Sequence, residues 1–493
     1  MDTKSISATF SSHDPNSGAV LADYPNTSPS EVFAAVDRAR IAAQQWQRFS
    51  PRERKKVLLR WCSLLTQEVD HIAAVIKQET GKPISDATLE ATLAFGHLAW
   101  AAKNAEKVLA PSHRPSGLLM FNMSSSVEHV PLGVVGVIGP WNYPIFTPMG
   151  SISYALAAGN AVVFKPSEYT PGVGALLGEL FNQVSPIPHL FTVVTGLPET
   201  GVALTESAVD KISFTGSTRT AKKVAASCAT RMVPVVLECG GKDPVIVAAD
   251  ADINMAAEYA LWSAMSNAGQ TCIGAERVYV VDSVADKFIA AIKSMAEKVH
   301  PGAQGNYGPA TMPSQLNVIQ SHIDDAASKG ARFLIGGTDS VKAPFVEPVI
   351  MLDVPENSTA ITEETFGPTL AINRVATISE AIQLANATRY GLAASVFSRR
   401  HGKEIARQLQ CGMVSINSVI AFAAIASVPF GGVKDSGYGR IHGPEGLLEF
   451  TYARTIVKQL FKIPLVFTSF NRTAFADKFI KAAVRLLHSR GLG

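Results

Sequence analysis

Two hydrophobic periods divide the chain. Val32, Val36, Ala39, Ala43 and Trp46 recur at helical spacing and make one apolar stripe. Ser28-Pro29-Ser30-Glu31 stands just before them, a capping-box pattern with proline at the first helical position, so a helix is expected to begin there. Further helix follows to about Leu109, punctuated at Glu79-Thr-Gly-Lys-Pro83. From about Pro131 the pattern changes to short β-rich runs, GVVGVIG, NAVVFK, HLFTVVTG, KISFTG and VVLECGG, separated by helical segments. Strand alternating with helix predicts a doubly wound parallel sheet. A second such series runs from about Lys242 to Ser436, with RVYVV, ASVFS and VSIN as its strand-like runs. Gly240-Gly241 between the two is a candidate hinge, because paired glycines tolerate unusual backbone angles. A length of 493 residues agrees with more than one domain, being too great for one ordinary core.

One stretch imitates a membrane span: His129 to Phe164 contains no Asp, Glu, Lys or Arg. Pro131, Pro140, Pro144 and Pro148, with Gly133, Gly136, Gly139 and Asn142, would break a spanning helix repeatedly, so buried parallel strands and a turn are expected instead. With 47% hydrophobic and 17% charged residues, the composition is globular rather than disordered. Net charge is only +3 and is unevenly placed: after Thr455, Lys458, Lys462, Arg472, Lys478, Lys481, Arg485 and Arg490 stand against Asp477 alone. The near-neutral body that precedes them lacks the basic face with which nucleic-acid binders replace counterions. Five cysteines at irregular spacing, with no C-x-x-C pair and no H-E-x-x-H, suggest neither a disulfide framework nor a metal site and fit a reducing compartment. The N-terminal stretch shows no charged n-region followed by an apolar run, so a cytoplasmic location is expected.

Ligands of doubly wound sheets sit beyond the carboxyl ends of the strands, which singles out Asn142, Lys165, Gly196, Gly216 and Glu238. The dinucleotide glycine fingerprint is absent: Gly172-Val-Gly174-Ala-Leu-Leu-Gly178 is one residue too long and follows a helix-start signal rather than a strand. Phe214-Thr-Gly-Ser217 allows an anion at the N-terminus of a helix beginning at Ser217, or a plain serine-capped turn. Lys165 and Glu168 leave one strand end together, either to hold a ribose diol or phosphate or to close a salt-bridged surface turn. Glu238 follows the apolar run VPVVL, where partial desolvation would raise its pKa toward that of a general base; a capped turn is the alternative. Cys272, within NAGQTCIG, is either a buried small hydrophobe or a nucleophile in a loop whose N–H groups face an oxyanion.

Seven motifs, in order and spacing, resemble the aldehyde dehydrogenase superfamily over nearly the whole chain: PWNYP from Pro140, FKPSE from Phe164, FTGST from Phe214, LECGGKDP from Leu237, GQTC from Gly269, EETFGP from Glu363 and PFGG from Pro429. The resemblance implies an α/β fold with two doubly wound, Rossmann-like domains and a small β oligomerisation element. Residues 1–112 and 131–239 would bind NAD, 240–435 would form the catalytic domain, 113–130 and 450–470 the oligomerisation element, and 471–493 a tail. It implies Cys272 as the nucleophile, the Asn142 amide and the Cys272 N–H as the oxyanion hole, and Glu238 as the group that activates water to hydrolyse a thioester. For the cofactor it implies Lys165 and Glu168 at the adenosine ribose, Gly216 and Ser217 at the pyrophosphate, Glu364 and Phe366 at the nicotinamide ribose, and Trp141, Gly196 and Gly201 as backbone contacts. The Glu168 carboxylate would repel a 2′-phosphate, so NAD is expected in preference to NADP. A small-molecule aldehyde and a homo-dimer or homo-tetramer are the implied partners. A coenzyme A-acylating relative would not need Glu238, and a non-catalytic protein keeping the fold would not need Cys272, Glu238 and Asn142 together.

Three positions depart from common family patterns. Members that oxidise succinic semialdehyde commonly carry arginine where Ser266 stands, so a carboxylated aldehyde lacks its obvious partner. Cys239 replaces a frequent leucine, and Ile441 stands where some members carry a further acid. Phe146, Gly150 and Phe430 are candidates for the substrate pocket. In the tail, Phe479, Ile480, Ala483, Val484 and Leu487 fall on one helical face and Lys478, Lys481 and Arg485 on another, a basic amphipathic helix suited to packing on a partner subunit or to peripheral contact with an anionic membrane.

Overall fold

The computed structural model describes residues 8–463 and 469–488; Arg490 of the basic tail lies outside them. Two compact units emerge: one runs to Val108 and again from Pro131 to Phe450, the other holds Leu109–Val130 and the chain from Thr451. In the first unit the helix Pro29–Trp46 starts as its sequence demands, the Ser28 hydroxyl accepting the Glu31 N–H and the Glu31 carboxylate accepting the Ser28 N–H. All five residues of its apolar stripe are buried, and the Trp46 indole donates to the Leu156 carbonyl at 2.8 Å. The same device recurs at Ser50 and Glu53, ahead of the helix Pro51–Gln67. Burial of each large side chain along these faces stabilises by about 2–3 kcal/mol.

Six strands form the first sheet, in the order Gly437–Tyr438, Val235–Glu238, Lys211–Thr215, Val134–Ile138, Ala161–Lys165 and Phe191–Val193. The last five are parallel, and only Gly437–Tyr438 runs the other way. Register pairs Thr215 with Glu238 and Ile138 with Lys165, so the residues that follow these strands leave one common edge. From Val134–Ile138 the chain winds outward through Ala161–Lys165 and Phe191–Val193, then returns to the other side of the starting strand with Lys211–Thr215 and Val235–Glu238. The direction of winding therefore reverses between Val134–Ile138 and Lys211–Thr215, which opens a crevice at the ends of those two strands. Between Val134–Ile138 and Ala161–Lys165 the chain forms the helix Phe146–Ala158, as the alternation of strand and helix predicts. Nearly its whole surface is buried, so no amphipathic period marks it in the sequence.

The second sheet has the order Arg332–Ile335, Val349–Leu352, Thr369–Val375, Ala275–Val281, Asp243–Val247, Ala393–Phe397 and Met413–Ile416. All its pairings are parallel except that of Arg332–Ile335. RVYVV, ASVFS and VSIN each contribute one of its strands. No helix among the described residues is long and apolar enough to cross a membrane.

The second unit holds a three-stranded sheet ordered Thr451–Gln459, Met123–Pro131 and Ser112–Arg114. Thr451–Gln459 is an edge strand whose residues after Thr451 are exposed, Ile456 and Val457 among them. Ala474–His488 is helical, with Ala476 and Ala483 buried and Phe475, Phe479, Val484 and Leu487 exposed.

Candidate active site

The loop that carries Cys272 is held in an unusual shape. The helix Ile253–Met265 ends before Ser266, and Asn267, Ala268 and Gly269 follow in left-handed conformation with φ of 53°, 57° and 70°. Alanine in that region costs about 1–2 kcal/mol. A side chain at Gly269 would collide with the Gly367 carbonyl, so only glycine fits that position. Buried hydrogen bonds over-determine the turn. The Asn267 amide donates to the carbonyls of Asn142 and Gln270, both at 3.1 Å. The Gln270 amide donates to the carbonyls of Asn267 and Pro309 and accepts the Thr311 N–H at 2.8 Å. Asn142 donates its own side-chain amide to the Gln270 carbonyl at 2.9 Å, tying the end of the first strand to the cysteine loop.

Cys272, Glu238 and Asn142 line one cavity of about 340 Å³, together with Trp141, Gly216, Ser217, Glu364 and Phe366. Eight of the twelve residues singled out from the sequence thus converge on one space, at the carboxyl edge of the first sheet. Lys165, Glu168, Gly196 and Gly201 stand outside its lining, further along the same edge and around the helix Pro198–Glu206. Glu238 and Gly196 follow the two ends of the five-strand parallel run, separated by about 19 Å of sheet edge at ordinary strand spacing.

Burial sets the electrostatics of the cavity. Cys272 is half-buried, yet desolvation, reinforced by Glu364, Asp243 and Glu238, pushes its thiol well above the ordinary cysteine range. The resting sulfur is therefore a protonated thiol and needs a base to become nucleophilic. Glu238 is buried with both carboxyl oxygens lacking a protein partner, and desolvation, opposed by Arg440, raises its pKa well above the carboxylate range. Burial likewise brings Glu364 up to about 8, while the Gly241 N–H donates to it at 3.2 Å. A side chain at Gly240 would run into the Glu364 carboxylate.

Several of these features fit a dinucleotide. Ser217 caps the helix Thr218–Ala229, its hydroxyl accepting the Thr220 N–H at 3.3 Å, so the positive end of that helix faces the crevice. Lys165 is buried, donates to the Pro166 carbonyl at 3.0 Å and lies 3.7 Å from Glu168, which leaves capacity on a three-donor ammonium for a sugar hydroxyl. Gly201 lies beside the Lys165 side chain, a Cβ there meeting its Cδ at an ordinary 3.4 Å. Trp141 and Phe366 meet edge to face at 5.5 Å and wall the other end.

Other supporting residues were not singled out in the sequence. Glu276 pairs with the buried Lys242 and accepts the N–H groups of Thr365 and Phe366, so it fixes the loop that presents Glu364 and Phe366. Lys82 donates to Glu90 and to the Asn142 carbonyl, both at 2.7 Å, while Glu90 accepts the Ile145 N–H at 2.9 Å. Phe146 and Phe430 line the cavity as expected, whereas Gly150 packs on His442 instead. His442 stacks on His97 at 3.7 Å behind these two phenylalanines. Replacing Glu276 by leucine is expected to strand the Lys242 ammonium in the core and cost about 3–5 kcal/mol. An earlier thermal unfolding transition would report it; an unchanged transition would show that the loop is held by other means.

A doubly wound chain with a thiol, an amide and an unpaired buried carboxyl on one crevice has the make-up of an oxidoreductase that works on a carbonyl group. The chain belongs to the aldehyde dehydrogenase family, whose members use NAD(P), and residues 2–456 match the family. It is 35% identical to the succinate-semialdehyde dehydrogenase [NADP(+)] of Escherichia coli, over 89% of this chain and 92% of that protein. It is also 35% identical to a 4,4'-diapolycopene aldehyde oxidase of Methylomonas, over 90% and 84% of the two chains. Among solved structures, the NADP-dependent glyceraldehyde-3-phosphate dehydrogenase of Bacillus halodurans superposes with a TM-score of 0.87 at 34% identity, covering 92% of this chain and 96% of that one.

Proposed function

We propose that this enzyme oxidises an aldehyde to a carboxylic acid with NAD through a covalent adduct on Cys272 that Glu238 then helps water to cleave. The observation that carries the reading is the convergence of Cys272, Asn142 and the unpartnered Glu238 carboxyl on one cavity. The Cys272 sulfur gives its proton to solvent water and bonds to the carbonyl carbon, and the carbonyl oxygen becomes an oxyanion. Asn142 spends one amide N–H on Gln270, so its second N–H and the Cys272 backbone N–H are left to hold that oxyanion. When bound, the oxidised nicotinamide supplies the hydride acceptor that turns the adduct into an acyl thioester. Glu238 takes a proton from water as the water oxygen attacks the thioester carbon, the C–S bond breaks, and Cys272 regains its proton.

Residues 131–239 supply the strand ends and the Ser217 helix for the dinucleotide, and 240–435 supply Cys272. Glu168 beside Lys165 supports NAD, since its carboxylate would meet a 2′-phosphate with like charge. Initial rates with NAD and NADP test both statements. NAD is expected to be reduced faster, and Glu168→Ser to raise the NADP-to-NAD ratio of kcat/KM about tenfold; an unchanged ratio would remove Glu168 from the ribose site. The exposed edge strand Thr451–Gln459 supports assembly into homo-dimers or homo-tetramers, which sedimentation reads directly. The helix Ala474–His488, with its exposed apolar and basic side chains, is suited to packing on a partner subunit or to peripheral contact with an anionic membrane, and vesicle flotation separates the two.

A further inference from the structure

The lining of the cavity around Cys272 divides into a polar and an apolar part. Away from the strand ends its wall is built from Leu89, Leu93, Trp262, Val318, Ile420 and Phe430, contributed by three helices and the loop before Phe430. Leu89, Trp262 and Val318 remain 50%, 49% and 37% exposed, so large apolar side chains stand open at this wall with no protein group covering them. Covering such surface is what a hydrocarbon ligand does best.

Charge points the same way. Lys82 is the one cation among the described lining residues, and its ammonium is fully committed. It donates to Glu90 and to the Asn142 carbonyl, lies 4.3 Å over the Tyr143 ring, and is inaccessible to solvent. The remaining ionisable groups of the lining are the acids Asp86, Glu90, Glu238 and Glu364, the thiols of Cys239 and Cys272 and the Tyr143 phenol. A carboxylate or phosphate on the far end of a substrate would find no free cation to pair with, at the cost of its own desolvation. Ser266 sets an uncharged hydroxyl in the wall, with no protein partner for its oxygen.

We propose that the substrate is an uncharged aldehyde with an apolar body, a hydrocarbon chain or an aryl group, and that aldehydes bearing a terminal carboxylate or phosphate are rejected. The inference rests on the reading of Cys272 as the nucleophile of an aldehyde oxidation. It separates this chain from relatives whose names specify semialdehydes or glyceraldehyde 3-phosphate.

The test is kcat/KM of the full-length enzyme for butanal, hexanal, octanal, decanal and benzaldehyde, set beside succinic semialdehyde and its methyl ester, which differ in the charged end alone. Each added methylene is expected to raise kcat/KM about threefold to fourfold until the cavity is filled. The ester is expected to exceed the free semialdehyde about a hundredfold or more. Ser266→Arg should narrow that ratio at least about tenfold by placing a cation in the wall, while leaving hexanal oxidation measurable. Succinic semialdehyde oxidised as well as its ester, or 4-aminobutanal oxidised better than hexanal, would overturn the proposal and leave the catalytic reading standing. Absence of dinucleotide reduction with every aldehyde would overturn the catalytic reading, and this one with it.

Discussion

Cys272→Ala is expected to lower aldehyde oxidation by about 10⁴-fold or more, since no other group in the cavity can form the covalent bond that divides the oxidation into two easier steps. Cys239, the other thiol of the lining, cannot substitute. It is buried where Cys272 is half-buried, and so offers its sulfur no comparable access. The half-buried Cys272 side chain is small, so its loss should leave folding intact, and an unshifted thermal transition with retained dinucleotide binding would show that chemistry alone was removed. Intact-protein mass after incubation with aldehyde and NAD separates the roles further: the parent should gain an acyl group and the alanine variant none. Substantial NADH formation by the variant would place the nucleophile elsewhere and undo the mechanism at its first step.

The parts of this site that could be read from the sequence are those in which chemistry and local backbone coincide. Cys272 sits three residues after Gly269, in a turn that glycine must close, and Ser217 caps the helix that follows its strand; both leave short, ordered signatures. Glu238 was legible because a strand ends there, and the missing partners of its carboxyl are what the fold adds. Lys242 and Glu276 are separated by 34 positions, and nothing in either stretch tells that a buried pair joins them. Lys82, read only as part of a turn, reaches Asn142 across 60 positions and holds the loop that carries it from behind. The bounds of the helix Phe146–Ala158 escaped for a different reason: a helix buried on every side has no polar face to set its period. The apolar wall of the cavity escaped because Leu93, Trp262 and Val318 come from separate helices, each of which looks locally like ordinary packing.

Glu238→Gln is expected to divide the reaction at the thioester. Glutamine keeps the shape of the side chain but cannot take a proton from water, so steady-state turnover should fall by about 10²–10⁴-fold. A burst of one NADH per active site should survive, because nothing in the acylation step as drawn needs Glu238 to end ionised. The acyl-enzyme should then persist long enough to be seen by mass, and added hydroxylamine should release it. In the parent the hydrolysis rate should rise with pH as the raised carboxyl ionises, and that dependence should vanish in the variant. The same shift predicts a gain in stability. A carboxyl whose folded-state pKa lies above its ordinary value of 4.5 keeps its proton in the folded state to higher pH than in the unfolded one. Its contribution is intact below that value and is lost as pH rises toward the folded pKa. The variant should therefore melt later than the parent at pH 8 while matching it at pH 4. A burst lost together with turnover would instead make Glu238 the base that deprotonates Cys272. Unchanged turnover would mean that water reaches the thioester without it, and a coenzyme A-dependent release would become the better account of the second half-reaction.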